Sequence, residues 1–439
     1  MEAIKVVKFG GSSLADATQF KKVYDIIKAD ETRRYVVPSA PGKRFKEDTK
    51  VTDLLYQAYN AKTELEFKNK FIEIKSRYQE IIDGLNLDFS LDKEFEIIEE
   101  GFKKGIGEDY AASRGEYLNG LLLAAYLKFD FIDPANCIFI DEHGNYDVNM
   151  TDEALSAALA QSNHAVIPGF YGSLNIDKKV IKAFSRGGSD VTGSIVAKNA
   201  KASLYENWTD VSGFLIADPR IVKDPAVIET ITYKELRELS YMGASVLHEN
   251  SVFPVRKEGI PINIKNTNRP EDPGTLIVES TCHKPTHVIT GIAGSKGFAT
   301  VMIEKDMMNS EVGFGRRVLQ VFEDNDLSFE HMPSGIDTMT IIVNTNDFID
   351  KEQDILAGIH RAVQPDSIVL ESDLALIAVV GRGMKASRGV AARIFKALAK
   401  ENINIKMIDQ GSSELNIIIG VRNCYFNGAI KAIYNEFID

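Results

Sequence analysis

Cysteine is scarce in this sequence: Cys137, Cys282 and Cys424 are the only three in 439 residues. The number is odd and none lies near another, so neither a disulfide framework nor a zinc site is implied. Free, buried thiols are expected. A basic excess is missing too. There are 51 Lys and Arg against 63 Asp and Glu, a formal charge of −12. This excludes a general nucleic-acid or anionic-membrane binder, though not a local anion pocket. No apolar run is long enough to cross a bilayer. The N-terminus shows no apolar h-region and no small-residue cleavage site, so a soluble cytoplasmic protein is expected. The motifs G-x-S-x-G, H-E-x-x-H, G-x-x-x-x-G-K-[ST] and G-x-G-x-x-G are all missing. The seven histidines are scattered, and a lone one such as His248 reads as structural.

The chain does have an alternating pattern. At 44% hydrophobic residues it can bury sizeable cores, and its length suggests two to three domains. Strand-like runs (Ile4–Phe9, Arg34–Ala40, Asn136–Ile140, His164–Gly172, Ile260–Thr267) alternate with helical patterns (Thr18–Lys28, Thr151–Ser162, Gly193–Ala202). This predicts an α/β domain with a largely parallel sheet, and ligands beyond the carboxyl ends of its strands. The polar stretch Tyr59–Lys104 reads as a helical excursion with a solvated face, a lid or a packing surface. Asn268–Thr275 reads as a turn-rich edge and Glu279–His287 as a linker.

Beyond the linker lies an internal repeat. Gly313 and Gly389 are 389 − 313 = 76 residues apart. At that offset Arg317 matches Arg393, Leu327 matches Ile403, Phe329 matches Ile405 and Gly335 matches Gly411, while Ile341 and Ile342 match Ile417 and Ile418. Each copy predicts a glycine-led helix, a turn, a strand, a glycine corner and a second strand.

Four stretches can carry chemistry. In KFGGSS (Lys8–Ser13), Gly10 and Gly11 let backbone amides approach an anion. Ser12 and Ser13 add hydroxyls, Lys8 adds a point charge, and the following helix would offer free amides and its positive dipole end. In FSRGGSDVTGS (Phe184–Ser194), Arg186 offers a fork for carboxylate or phosphate, and Asp190 suits a metal or a lysine. Ser189 or Asp190 can equally be a plain helix cap. ENWTDVSGFLIADPR (Glu206–Arg220) holds the only tryptophan, Trp208, in what reads as a polar loop able to grip a nucleotide. In SRGEYLNG (Ser113–Gly120), Glu116 sits in a helix-start context, where an exposed capping glutamate is the simplest reading.

In chain order KFGGSS, VTDLL (Val51–Leu55), SRGE (Ser113–Glu116), SRGGSD (Ser185–Asp190), WTDVSG (Trp208–Gly213) and DPR (Asp218–Arg220) resemble the aspartokinases of the amino-acid kinase family over nearly the whole chain. The repeat resembles paired ACT domains, which bind amino acids. The resemblance implies a three-layer αβα sandwich with a mostly parallel sheet over residues 1–283. Two C-terminal α+β, ferredoxin-like ACT domains would follow. The first would span residues 298–365, inserted into a second made of 286–297 and 366–439. It implies phosphoryl transfer from ATP, with Mg²⁺, to the β-carboxylate of L-aspartate, yielding 4-phospho-L-aspartate. By position, Lys8, Arg186 and Asp190 would be catalytic. Thr52, Glu116, Arg186, Gly188 and Ser189 would bind aspartate. Lys8, Phe9, Gly10, Gly11, Ser12, Thr209, Asp210, Leu215, Arg220 and Ser245 would bind nucleotide. No metal ligand is assigned to the chain itself.

Two positions depart from the family pattern. Leu215 stands where many members have tyrosine, and Ser245 where many have a nucleotide-contacting lysine. Each lost contact would weaken ATP binding by about 1–3 kcal/mol. In the first ACT unit Met308, Ser310, Phe314 and Glu330 match effector positions, with L-lysine favoured over threonine. Homo-oligomerisation through the ACT units is expected, which would cover sheet edges. The alternatives are a glutamate-type amino-acid kinase and a kinase-derived amino-acid sensor without catalysis.

Overall fold

The computed structural model describes residues 3–438 apart from 186, 244–246, 248 and 282–284, and the side chains of residues 249 and 250. Two compact units are distinguished. The first comprises Met1–Phe214, Val227–Tyr233 and Val246–Thr281; the second comprises Leu215–Ala226, Lys234–Ser245 and Cys282–Asp439.

In chain order the first unit opens with β1 (Lys5–Phe9), α1 (Ala17–Lys28), β2 (Arg33–Pro38), α2 (Val51–Tyr59), α3 (Glu64–Leu85), α4 (Asp92–Lys103) and α5 (Glu108–Leu127). Then come β3 (Asp130–Phe131), β4 (Phe139–Ile140), α6 (Val148–Ala160), β5 (Ala165–Val166), β6 (Tyr171–Leu174), β7 (Ile181–Ala183), α7 (Gly188–Asn199), β8 (Leu204–Thr209) and β9 (Thr230–Thr232). The helix α8 (Tyr233–Tyr241) lies in the second unit except for its first residue. The first unit closes with α9 (Glu249–Lys257), β10 (Ile262–Asn266) and β11 (Thr275–Val278).

The main sheet runs β3-β5-β2-β1-β8-β10-β11-β9, parallel throughout except for the β10/β11 pair. β4, β6 and β7 form a small side sheet. Helices cover both faces of the main sheet, giving the expected three layers. The buried runs of β1 and β2 explain why: strands covered on both faces must be apolar on both. Val7 and Phe9 point into one core with α1 to α5, while Val6 and Lys8 point to the opposite face by strand alternation.

The Tyr59–Lys104 stretch is helical, as α3 and α4, but it is more than a solvated excursion. Phe71, Ile74, Tyr78, Ile81, Ile82, Phe95, Ile98 and Phe102 are buried in the main core of the first unit. Their three- and four-residue spacing makes an apolar stripe beneath the charged face.

The second unit contains β12 (Gly291–Glu304), α10 (Phe314–Asp324), β13 (Thr338–Asn344), α11 (Thr345–Phe348) and α12 (Glu352–Val363). It continues with β14 (Ser367–Val380), α13 (Val390–Lys400), β15 (Met407–Asp409), β16 (Asn416–Val421) and α14 (Phe426–Ile438). Its sheet is one continuous antiparallel array, β13-β12-β14-β16-β15. The repeat is faithful. α10 and α13 keep the 76-residue offset at both ends. Both are led by a left-handed glycine, Gly313 at φ 80° and Gly389 at φ 82°, and both are followed by a left-handed residue, Asp326 and Asn402. The copies differ at the first strand. In the second copy it is β15; in the first it is reduced to isolated bridges at His331 and Ser334. The 14-residue strands β12 and β14 serve both copies, and a bulge at Gly297, φ 91°, marks the change of copy along β12.

Two segments placed with the kinase domain by the sequence reading pack instead with this unit. Ile292 donates its amide to Ile216 O at 2.7 Å, and Tyr434 Oη accepts from the Ala226 amide at 2.9 Å. On α8, the fully buried Glu235 accepts from Thr290 Oγ1 at 2.6 Å and from the Arg382 guanidinium at 3.0 Å.

Candidate active site

The site grows from the carboxyl end of β1. β1 and β8 are register neighbours, with Lys8 opposite Asn207 and Phe9 opposite Trp208. Alternation then puts Lys8 and Asn207 on the face toward α7, and Phe9 and Trp208 in the core behind. Lys8 Nζ lies 2.6 Å from Asp190 Oδ1 and 3.5 Å from Asn207 Oδ1. Asn207 Nδ2 donates to the same Asp190 oxygen at 2.9 Å. The lysine is 8% exposed, so its ammonium is aimed rather than free to roam.

Phe9 is fully buried and its ring stacks on Trp208, so only its backbone is open to a ligand; its carbonyl already accepts from the Ser39 amide. Trp208 corrects the sequence reading. It is a core residue of β8, 1% exposed, with Nε1 bonded to Glu206. It is not a loop residue poised for a base.

After β1 the chain makes a 3-10 turn, Gly11–Leu14, led by Gly10. Here too the expectation needs correction. α1 begins at Ala17, as the Thr18–Lys28 pattern predicts, but its end is not free: Asp16 caps it by accepting from the Gln19 amide at 2.9 Å. A capped helix end offers little to an anion, so the donors come from the turn. The amides of Gly10 and Ser13 are engaged by Trp208 O and Gly10 O, which leaves those of Gly11 and Ser12 without a backbone partner among the described residues. Gly11 is wedged against the Ala40–Gly42 backbone. A Cβ on Gly11 would sit 2.9 Å from Ala40 O, and one on Gly42 would sit 2.6 Å from the Gly11 carbonyl carbon. Ser13 Oγ pairs with Thr267 Oγ1 at 2.8 Å.

A second donor set faces Lys8 from α7. Its N-cap is Gly187 at φ 60°, with no side-chain cap. Ser189 and Asp190 are therefore not caps but first-turn residues, and the amides of Gly188, Ser189 and Asp190 have no helical acceptor. Gly188 packs against Phe170 and Ser189 against Gly169, so the turn is seated tightly. Phe170 itself holds φ 79°, a strained value for a bulky residue, with its amide bonded to Thr192 Oγ1. Arg186 lies outside the described residues, and so does Ser245.

Glu116 differs most from the sequence reading. It lies in the middle of α5, 6% exposed, not at a helix start. Burial pushes its carboxyl up to about 8, although the Ala40 amide, its own amide, Arg114 and Lys8 all pull the other way. Its Oε2 is buried with no hydrogen-bond partner. One turn on, Asn119 donates Nδ2 to Ser39 O at 2.6 Å and leaves Oδ1 unpartnered. Gly115 lets Ala40 come close, since a Cβ there would be 2.8 Å from the Ala40 Cβ, and Thr52 Oγ1 lies beside the same spot at 3.8 Å. Thr52 and Glu116 are thus brought to one place, beside the Pro38–Gly42 segment that also cradles Gly11.

Thr209 ends β8, its carbonyl accepting from the Thr267 amide, its hydroxyl 3.2 Å from the exposed Asp210. Leu215 and Arg220 belong to the second unit. Arg220 is 88% exposed and pairs with Asp218 at 2.6 Å. Also in that unit, Met308 and Phe314 are buried in the core between sheet and helices. Ser310 is exposed, with its hydroxyl on Met307 O, and Glu330 accepts a hydrogen bond from Tyr241 Oη.

Sequence reasoning missed Asn207, Gly42 and Asn119. Asn207 lies inside a quoted motif, but strand register is what makes it Lys8's neighbour. Gly42, in PSAPGK, carried a turn signal with no hint of its contact with Gly11.

Among the described residues no helix is long and apolar enough to cross a membrane. The amino acid kinase family model matches residues 3–266, and an ACT domain model matches residues 377–437. Aspartokinase 3 of Bacillus subtilis is 40% identical, over 99% of this chain and 98% of its own. The crystal structure of Clostridium acetobutylicum aspartate kinase, described as an allosteric enzyme, superposes with TM-score 0.89 at 52% identity, covering 99% of this chain and 100% of that one. E. coli aspartokinase III in complex with aspartate and ADP has TM-score 0.74 at 24% identity, covering 99% of each chain, which is a likeness of fold.

Proposed function

The chain belongs to the amino acid kinase family and, within it, to the aspartokinases; from that premise we propose that it transfers the γ-phosphoryl group of ATP to the β-carboxylate of L-aspartate, giving 4-phospho-L-aspartate and ADP. The observation that carries the reading is Lys8, fixed by Asp190 and Asn207 between two sets of open amides.

The acceptor carboxylate is its own nucleophile, so no enzyme base is needed. The work is positioning and charge stabilisation. Lys8 neutralises charge on the transferring group. Asp190, backed by Asn207, keeps that ammonium aimed. Gly10, Gly11 and Ser12 cradle phosphate oxygens through backbone amides. Gly188 and Ser189, with Arg186, hold the aspartate carboxylate, while Glu116 and Thr52 take its ammonium. The unpartnered Oε2 of Glu116 supports that role, because a buried carboxylate oxygen without a donor is costly until a cation arrives. Thr209 and Asp210 are the proposed nucleotide contacts of the first unit, Leu215, Arg220 and Ser245 are carried as nucleotide positions by family resemblance alone, and Phe9 contributes backbone only. Mg²⁺ would come with ATP and would supply further charge neutralisation, held largely by phosphates and water; Asp190, besides orienting Lys8, would help organise that end of the nucleotide.

The regulatory part reads as two ACT units with boundaries near residues 298 and 365. L-lysine is the proposed effector, from the resemblance of the Met308–Glu330 region. A coupling of about 1–3 kcal/mol would suffice for strong inhibition. E. coli aspartokinase III, solved with lysine and aspartate, shares the fold at 24% identity. Sheet edges β13 and β15 are the surfaces on which we place homo-oligomer contacts, and the cytoplasm is the proposed compartment.

Hydroxylamine trapping with ATP, Mg²⁺ and L-aspartate tests the reaction. Hydroxamate should form, should fall when lysine is added, and should not form with glutamate. A folded protein that yields none would overturn the proposal in favour of an amino-acid sensor.

A further inference from the structure

α3 carries a residue pair with no counterpart among the assigned site residues. Arg77 is 3% exposed, and its guanidinium bridges three stretches of chain. Nη1 donates to Asp48 Oδ2 at 2.9 Å and to Thr49 O at 3.1 Å. Nη2 donates to Gly42 O at 2.8 Å and to Ala15 O at 3.5 Å. Asp48 in turn accepts from the Arg44 amide at 2.9 Å and from its guanidinium, closing the loop 44–48 upon itself. Hydrogen bonds from Arg44 and the charge of Arg77 hold the Asp48 carboxyl well below the usual range.

Each acceptor on Arg77 leads directly to the site. The Gly42 amide bonds Gly11 O at 2.8 Å, in the phosphate-binding turn, and Ala15 ends that turn. Thr49 lies three residues before Thr52, and the Val51 amide ties the start of α2 to Pro41 O. The next residue on α3, Tyr78, is fully buried and donates its hydroxyl to Gly115 O at 2.7 Å, one residue before Glu116.

We propose that α3 is a brace for the active site, and that Arg77 and Tyr78 are positioning residues that set the gap between the Gly10–Ser12 turn and the Thr52–Glu116 side. The proposal rests on the aspartate-kinase reading for which side each group serves. It assigns a mechanical purpose to a helical segment that contributes no reacting group. The geometry also shows why arginine is needed: a planar fork reaches four acceptors across three stretches of chain, and an ammonium cannot. Misplacement by about 1 Å costs of order 10²-fold in rate, so a loosened brace should register in turnover well before the fold fails.

The test compares Arg77→Lys and Arg77→Met with Ile98→Ala. Ile98 is buried on α4 in the same core, and its side chain holds no backbone of the site. At matched loss of thermal stability, the Arg77 variants should lower kcat about tenfold or more and raise KM for aspartate several-fold. Ile98→Ala should leave both within about twofold. Hydrogen exchange on the full chain should show faster exchange of the Gly42 and Val51 amides in Arg77→Met and unchanged exchange there in Ile98→Ala. If the Arg77 variants shift kcat, KM and these two amides no more than Ile98→Ala does, the brace is refuted. A wild-type protein without aspartate phosphorylation would refute the functional reading instead, and the exchange pattern would still decide whether Arg77 holds the loop.

Discussion

Replacing Glu116 with glutamine removes one oxygen's charge and one titration from the centre of the site. With its carboxyl at about 8, Glu116 is ionised in about one molecule in ten at pH 7. The ammonium of aspartate selects that ionised form. Binding at pH 7 should therefore release about 0.9 proton, and affinity should rise about tenfold per pH unit up to 8 and level off above it. A charged hydrogen bond is worth about 1.5–3 kcal/mol. At pH 7 about 1.4 kcal/mol of this is offset by ionising the carboxyl. Glu116→Gln should thus raise KM for aspartate only about 1–15-fold at pH 7, but about 10–150-fold at pH 9. Its proton release should be zero.

Stability should move the other way. Below pH 4.5 the folded and unfolded chains both hold the proton. Between 4.5 and about 8 the unfolded chain sheds it and the folded chain keeps it. The wild type therefore loses about 1.4 kcal/mol per pH unit relative to the glutamine variant, about 3 kcal/mol by pH 7 and about 5 kcal/mol by pH 8. Titration calorimetry in two buffers of different ionisation enthalpy counts the protons, and thermal melts at pH 5 and 8 give the stability difference. Aspartate binding that releases no proton, with a melting difference that ignores pH, would refute the reasoning.

Three further outcomes are expected. Lys8→Met should lower hydroxamate formation about 10²–10³-fold, the usual loss when a group aimed at developing charge is removed, with the circular dichroism spectrum unchanged. Gly42→Ala would place a Cβ 2.6 Å from the Gly11 carbonyl carbon; turnover should fall about 10²-fold as the turn is pushed aside, measured on protein shown to be folded. Gly389→Ala meets no atom within 4 Å, so its cost is purely the φ of 82°, about 1 kcal/mol; Gly313→Ala at φ 80° should cost a similar free energy, and thermal melts of the two variants should show matching drops.

Much of this was legible from the sequence because it is local. A strand of apolar residues ending in Lys8 and two glycines announces itself, and a 76-residue repeat survives in its helices down to the left-handed residues at their ends. What escaped depends on long-range contact. Asn207 becomes Lys8's neighbour only through β1/β8 register. α5 is buried around nearly its whole circumference, so no polar stripe marks where it begins, and Glu116 looked like a helix start instead of a helix centre. Arg77 was hidden in a run of charges whose other members face water, and only the fold distinguishes it from them.

The long strands β12 and β14 carry a consequence for how such a chain can change over generations. Each contributes one half to each copy of the repeat. No single break between Gly291 and Val380 yields two pieces that can each complete a sheet. A recombination event exchanging one sensing copy for a foreign one must cross over twice, near Gly297 and again near the middle of β14, between Glu371 and Leu374. A single crossover strands half of two β-strands without partners and exposes a sticky edge. Specificity in this architecture is therefore free to drift by point substitution, while wholesale replacement of a copy is held back by the weave itself.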